Sequence, residues 1–247
     1  MTKLHGGRQR PPIFGIMKID RSKLHRIYRY SVNLLYPNVC PRCGKYIDYN
    51  DDFCKECLGC ITPYEGDTVI PYIDRFTAPC VYDDNVRPAL LEFKQTDCGN
   101  TYYAFAYRIA AALKNAGFGS DADYIVPIPM TRRSLRARGY NQTALIAMEL
   151  RYMINVPYAN VLIKVRETKA QKSTSGRERA DNVRDAFGIS PKAPDIKGRT
   201  LLLIDDLCTT GCTLSEAAKV LKENGAEKIY AASFAKTLMK NDRPEEE

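Results

Sequence analysis

Apolar positions along this chain fall into short continuous runs that alternate with stripes of helical spacing. Residues 201–204 are four consecutive aliphatic side chains just after the turn-prone Gly198, which predicts a short strand buried on both faces of a parallel sheet. Leu214, Ala217, Ala218 and Leu221 then recur at helical spacing up to Asn224-Gly225, predicting a helix over 213–224 that ends on glycine. The same reading gives strands at 124–128, 161–165 and 229–235, and helices at 102–116 and 141–153, the first of them broken by Gly117 and Gly119. Alternating strands and helices in this order are the pattern of an α/β fold with a parallel sheet. Further upstream, 69–72 and 76–82 read as short strands joined by Asp74-Arg75. Val86, Leu90, Leu91 and Phe93 follow at helical spacing, with a turn over 94–99. Residues 19–35 form a candidate helix whose apolar points are Leu24, Ile27, Tyr28, Leu34 and Leu35.

The strand at 201–204 runs directly into two carboxylates, Asp205 and Asp206, and then into Thr209, Thr210, Gly211, Cys212 and Thr213. Open α/β sheets hold their ligands at the carboxyl ends of the strands. A loop of small hydroxyl residues, with a glycine free to take positive φ, offers unhindered N–H groups at the start of a helix. Those N–H groups and the helix dipole together favour phosphate. Adjacent carboxylates accept hydrogen bonds from ribose hydroxyls, and magnesium can share that edge with a pyrophosphate. The alternative is a core strand followed by an ordinary threonine-capped helix, which leaves the acids, threonines and glycine as separate coincidences. The stretch resembles the phosphoribosyl pyrophosphate signature of type I phosphoribosyltransferases, with Cys208 where an aliphatic residue is common.

Charge and cysteines change the picture at the N-terminal end. The net charge is +8, and residues 1–35 hold eight Lys or Arg against one acid, Asp20, so they read as a polyanion-binding arm or a solvated basic tail. Both histidines, His5 and His25, lie in this arm, and histidine-based acid–base catalysis in the main domain is not expected. Nine cysteines without a secretory signal point to metal ligands or buried thiols in a cytoplasmic protein rather than to a disulfide framework. No run is long enough for a membrane span. Cys40-Pro-Arg-Cys43 and Cys54-Lys-Glu-Cys57 offer two pairs of thiolates, enough for a closed tetrahedral structural zinc site, with a short hairpin expected through Tyr46 and Ile47. Cys60 reads as a spare, free thiol. A redox pair explains one Cys-x-x-Cys but not two.

Two polar stretches carry further candidate chemistry. After the strand at 124–128, Arg132, Arg133, Arg136 and Arg138 crowd a loop that leads into the helix at 141–153. Guanidinium forks suit a pyrophosphate, and they suit a nucleic-acid backbone equally well. Residues 166–184 are polar without periodicity and include Lys169, Gln171, Lys172, Arg177 and Arg179. They read as a closing loop or as a surface insertion.

Taken in order, the cysteine module, Phe93-Lys94, the Pro127-Ile-Pro129 loop leading to Arg138-Gly-Tyr-Asn-Gln142, the polar loop with Gln171 and Asn182-Val183, and Asp205-Asp206 before Thr209-Thr210-Gly211 resemble the bacterial ComF family of natural competence. The resemblance covers nearly everything after residue 36. It implies a parallel-sheet type I phosphoribosyltransferase fold with a small N-terminal four-cysteine zinc module. It also implies phosphoribosyl pyrophosphate with magnesium as ligand, and a role in DNA uptake or in handling incoming single-stranded DNA alongside the uptake machinery. The expected organisation is a basic arm (1–35), a zinc module (36–62), connecting strands and helix (63–98), the phosphoribosyltransferase-like domain (99–240) and an acidic tail (241–247). Two functions compete. An active phosphoribosyltransferase of nucleotide salvage would stabilise an oxocarbenium-like ribose through Asp205 and Asp206. A binding module would turn the same phosphate sites to nucleic acid.

Overall fold

The computed structural model describes residues 21–94, 101–166 and 183–238. Residues 1–20, 95–100, 167–182 and 239–247 lie outside the described residues, so what is expected of the N-terminal half of the basic arm, of most of the turn over 94–99 and the polar stretch 166–184, and of the acidic tail stands as sequence reading only.

The sheet is built around β6 (Thr200–Cys208), which lies between β3 (Tyr124–Pro127) and β7 (Lys228–Lys236), parallel to both. Leu201 to Ile204 are fully buried, as four aliphatic side chains on a two-faced strand must be. Pleating sends them alternately to opposite faces. Leu202 and Ile204 pack with α4 (Thr101–Ala116) and α6 (Gln142–Ile154) through Phe105, Ile109, Ile146 and Leu150. Leu201 and Leu203 pack on α7 (Cys212–Glu223) through Leu214, Ala217, Ala218 and Leu221. At about 2 kcal/mol for each buried aliphatic side chain, β6 is the strand on which both halves of the core close.

Several expectations change in detail. The central strand is longer than 201–204. It continues through both aspartates to Cys208, because β7 pairs with it as far as Lys236. No strand forms at 69–72, where Val69 is 91% exposed and Tyr72 sits at φ 66°. The strand expected at 76–82 is two short ones, β1 (Arg75–Thr77) and β2 (Cys80–Val81), both parallel to β7. The connecting segment therefore contributes the outer strand of the main sheet. α3 (Arg87–Phe93) follows, and Phe93 packs on Phe105. β4 (Leu162–Lys164) does not join the parallel sheet. It pairs antiparallel with β5 (Phe187–Ile189), a strand the sequence pattern does not show because it is three residues long with Gly188 in its middle.

The N-terminal helix α1 (Arg21–Leu35) forms, but with the opposite face inward. Ile27, Tyr28, Leu34 and Leu35 are exposed, while His25 Nε2 lies 3.0 Å from the Glu149 carboxylate. Arg29 stacks over the Tyr103 ring and donates to the Tyr49 carbonyl at 3.1 Å. Burial of Glu149 in α6 demands a hydrogen-bonding partner, and that demand outweighs the apolar stripe in orienting the helix.

Candidate functional site

The ligand-facing end of the sheet begins where β6 stops. Asp205 is only 8% exposed, and its Oδ1 accepts the Asp206 N–H at 2.9 Å. Burial, with the Asp206 carboxylate adding to it, pushes the Asp205 carboxyl up to about 8. Asp206 is less buried, and Lys94 Nζ lies 3.1 Å from its carboxylate. Lys164, at the end of β4, is close enough to Asp205 to feel its charge. Burial lowers the Lys164 pKa, and Asp205 opposes that shift. Two ammonium groups therefore accompany the two carboxylates, and neither was picked out as a site residue from sequence, although Phe93-Lys94 was part of the family resemblance.

Beyond the acids, Thr209 and Thr210 lead into Gly211 at φ 80°. A Cβ at Gly211 would come within 3.1 to 3.3 Å of Ile70 carbons, so both the turn and the close packing beneath it require glycine. Gly211 is also the N-cap of α7. No side chain caps that end, which leaves the first-turn N–H groups of Cys212, Thr213 and their neighbours for a ligand. The Thr210 hydroxyl lies 3.1 Å from Cys212 Sγ. From below, the buried Lys236 ammonium donates to the Thr209 carbonyl at 3.2 Å. The structure thus keeps Asp205, Asp206, Thr209, Thr210, Gly211, Cys212 and Thr213 in one continuous stretch that ends at a helix N-terminus without a side-chain cap.

The arginine stretch leaves the neighbouring strand at the same edge. β3 runs parallel to β6, with Pro127 opposite Ile204, so its exit faces the same way. What reads as a loop in sequence is partly the short helix α5 (Arg132–Arg138). Thr131 Oγ1 caps it by accepting the Ser134 N–H at 3.1 Å, and Gly139 ends it in the left-handed region. The Ile128 carbonyl accepts from both Asn141 Nδ2 and Thr143 Oγ1, which fixes where α6 starts. Arg132, Arg133 and Arg136 are exposed, whereas Arg138 is half-buried and donates to Gln142 Oε1 at 3.3 Å.

The four predicted metal-ligand sulfurs come together as well. The Sγ atoms of Cys40, Cys43, Cys54 and Cys57 lie within 4.8 Å of one another. Cys43 and Cys54 are 3.8 Å apart, the separation that tetrahedral zinc with Zn–S bonds of about 2.3 Å imposes on neighbouring sulfurs. The cluster can hold a metal ion, and four thiols suit zinc. Cys40 and Cys43 flank a turn closed by Gly44 N–H donating to the Cys40 carbonyl. The expected hairpin is an antiparallel bridge between Val39 and Tyr46, and it embraces the first knuckle instead of separating the two. Arg42 points at Cys57 Sγ and is held by Asn85. Cys60 lies outside the four-sulfur group, its thiol directed at the Glu56 carbonyl. The module sits on the main core, where Cys40, Phe53 and Cys57 are buried with Phe105 and Phe234.

Comparison with known proteins gives the same grouping. The phosphoribosyl transferase domain family matches residues 138–247. Competence protein F of Haemophilus influenzae is 26% identical over 80% of this chain and 84% of its own length. The chain is thus similar, over four-fifths of its length, to competence protein F, in line with the ComF resemblance of its motifs. A second relative, DNA utilization protein YhgH of Escherichia coli, is 25% identical over 81% of this chain and 85% of that protein. The amidophosphoribosyltransferase of Saccharomyces cerevisiae is 30% identical over 49% of the chain, which spans 21% of that longer enzyme. The chain has a phosphoribosyltransferase-type α/β fold with a four-cysteine module. Among its described residues, no helix is long and apolar enough to cross a membrane.

Proposed function

We propose that this chain binds phosphoribosyl pyrophosphate, or a closely related 5′-phosphorylated ribose, together with magnesium, and uses that site in handling incoming single-stranded DNA. The observation that carries the reading is the junction of β6 with α7. Two acids precede a turn closed by Gly211 over Ile70, and the turn opens directly onto a helix end that no side chain caps. The loop and helix end take the 5′-phosphate, and the Asp205–Asp206 edge takes the ribose hydroxyls. Asp206 is the more accessible acid and the better partner for magnesium arriving with the ligand, with Lys94 giving way to it. The names of the relatives, competence protein F and DNA utilization protein, support the DNA role. So do the exposed arginines of α5, which stand at the same sheet edge and suit a phosphate backbone. The cysteine module would hold zinc as a structural ion.

Calorimetric titration of the zinc-loaded protein with phosphoribosyl pyrophosphate and magnesium tests the reading, repeated with short single-stranded DNA at two salt concentrations. Saturable, magnesium-dependent binding that is lost in the Asp205→Asn, Asp206→Asn double variant is the expected result. DNA affinity should fall steeply with salt. Binding that survives in the double variant would displace the ligand from this site. Release of pyrophosphate on adding an acceptor base would make the same site a transferase.

A further inference from the structure

Two strands away from the acid pair, the sheet ends in an edge that the other described residues leave uncovered. A cleft of about 670 Å³ lies between this edge, the segment 63–69 and the α4 face that carries Ala111, Ala112 and Asn115.

The direction of the backbone groups follows from the register. Asp74 N–H and Tyr82 N–H both donate to β7, to the carbonyls of Ile229 and Lys236. β1 and β2 keep one unbroken register with β7, Thr77 opposite Ala232 and Cys80 opposite Ala235. Strand residues alternate the side to which their N–H and C=O groups point. The even-numbered residues therefore face β7, while Arg75, Thr77, Pro79 and Val81 face outward. The upper end of the edge is closed. Val81 N–H donates to the Thr62 carbonyl at 2.9 Å, Pro63 bridges Cys80 antiparallel, and Pro79 has no N–H to offer.

Below that point the covering segment turns away. Tyr64 folds back over Gly66 and its hydroxyl accepts the Thr68 N–H at 3.1 Å, so the loop satisfies itself and leaves the outward groups of Arg75 and Thr77 facing the cleft. Residues 62–63 thus begin an antiparallel strand that no other described residues continue.

The charges around the cleft lean acidic: Glu65, Asp67 and Asp74 stand against Arg75 and Arg108, with Asp74 paired to Lys222. Arg75 donates to the carbonyls of Ala116 and Gly117 and stacks on Phe118, while Arg108 is ion-paired with Asp52. Glu65 and Asp67 on the opposite wall are exposed. In a protein of net charge +8, this edge is locally acidic.

We propose that the cleft is a docking slot for an extended segment of a partner protein that bears lysine or arginine, added to β1 as an antiparallel strand. Backbone pairing to Arg75 and Thr77 supplies the register, small alanines on α4 leave room for side chains, and Glu65 and Asp67 select basic ones.

The test uses the full chain and a synthetic seven-residue peptide of alternating threonine, lysine and valine, followed by NMR. The expected result is saturable binding that slows amide exchange at Arg75 and Thr77 and weakens with salt. It should weaken at least about tenfold when glutamate replaces lysine in the peptide, when alternate peptide nitrogens are methylated, or in the Glu65→Gln, Asp67→Asn variant. Thr77→Pro removes one outward donor without touching the bonds to β7, as Pro79 already does two residues on, and should reduce binding by a similar factor. If that variant does not fold, the methylated peptide tests the same backbone pairing. Equal binding of the methylated peptide, equal binding of the acidic peptide, or no binding would overturn the proposal. So would Arg75 and Thr77 amides already protected in the free chain, because the slot would then be filled by the chain itself.

Discussion

Lys236, at the last position of β7, sends its ammonium under the ligand loop to the Thr209 carbonyl at 3.2 Å, although its side chain is only 1% exposed. A buried cation is costly unless its surroundings hold it, and here it holds the loop that the proposed phosphate must meet. Replacing it by methionine keeps the volume and removes the charge together with the bonds to the Thr209 and Thr237 carbonyls. Lys236→Met should weaken phosphoribosyl pyrophosphate binding about tenfold, roughly 1.4 kcal/mol, by calorimetry. The far-ultraviolet spectrum should be unchanged, and an unaltered affinity would relieve Lys236 of any part in the site.

The raised pKa of Asp205 makes a signed prediction about stability. A carboxyl that titrates near 8 when folded, against about 4 when unfolded, binds its proton more tightly in the native state. The cost of ionising it in the fold is absent below about pH 4, grows as pH rises, and is complete above about pH 8. Asp205→Asn should therefore raise the Tm of the ligand-free protein by several degrees at pH 8.5 and leave it nearly unchanged near pH 4, in scanning calorimetry. The same substitution should weaken ligand binding, so stability and function would move in opposite directions.

Metal removal should reach beyond the cysteine module. Cys40, Phe53 and Cys57 are buried in the same cluster as the helices and sheet, so a strong chelator should lower the Tm of the whole transition instead of releasing a separate small one. Cys43→Ser should abolish stoichiometric zinc by elemental analysis. Cys60→Ser should leave about one ion per chain.

Charge reversal on α5 separates positioning from recognition. Arg132, Arg133 and Arg136 are exposed, so their joint replacement by glutamate should change stability by no more than about 0.5 kcal/mol per site. Single-stranded DNA binding should weaken, with the salt slope of log K falling by about 2. An unchanged slope would remove α5 from the nucleic-acid path.

The parts of this protein that are legible in its sequence are those whose signals are local. Residues 201–213 declare a strand, two acids, a glycine turn and a helix start because each feature is fixed by neighbours a few residues away. The paired Cys-x-x-Cys knuckles are equally self-contained. What stays hidden depends on contacts distant in the chain. Ile70 looks like part of a strand at 69–72, but it is a single plug under Gly211. α1 looks as if it should bury Ile27 and Leu34, but Glu149, more than a hundred residues away, claims its His25 face. Lys94 and Lys236 reach the site only because α3 and β7 end beside β6. For the arginine stretch, Thr131 and Gly139 do carry helix-cap signals, but the seven residues between them bury no side chain and so show no apolar period.

One line of rings gives the site an unexpected anchorage. Phe53, beside Cys54, lies nearly parallel to and offset from Phe234, with ring centres 6.3 Å apart. Phe234 stacks on Phe105 at 3.6 Å, and Phe105 meets Phe93 at 4.8 Å. Phe93 precedes Lys94, whose ammonium reaches Asp206. Rigid aromatic neighbours in a close-packed interior transmit displacement poorly absorbed by rotamer changes. The four-cysteine knot therefore works as a footing for the far end of the ribose rim, and the reach of Lys94 is set by masonry laid more than thirty residues earlier in the chain.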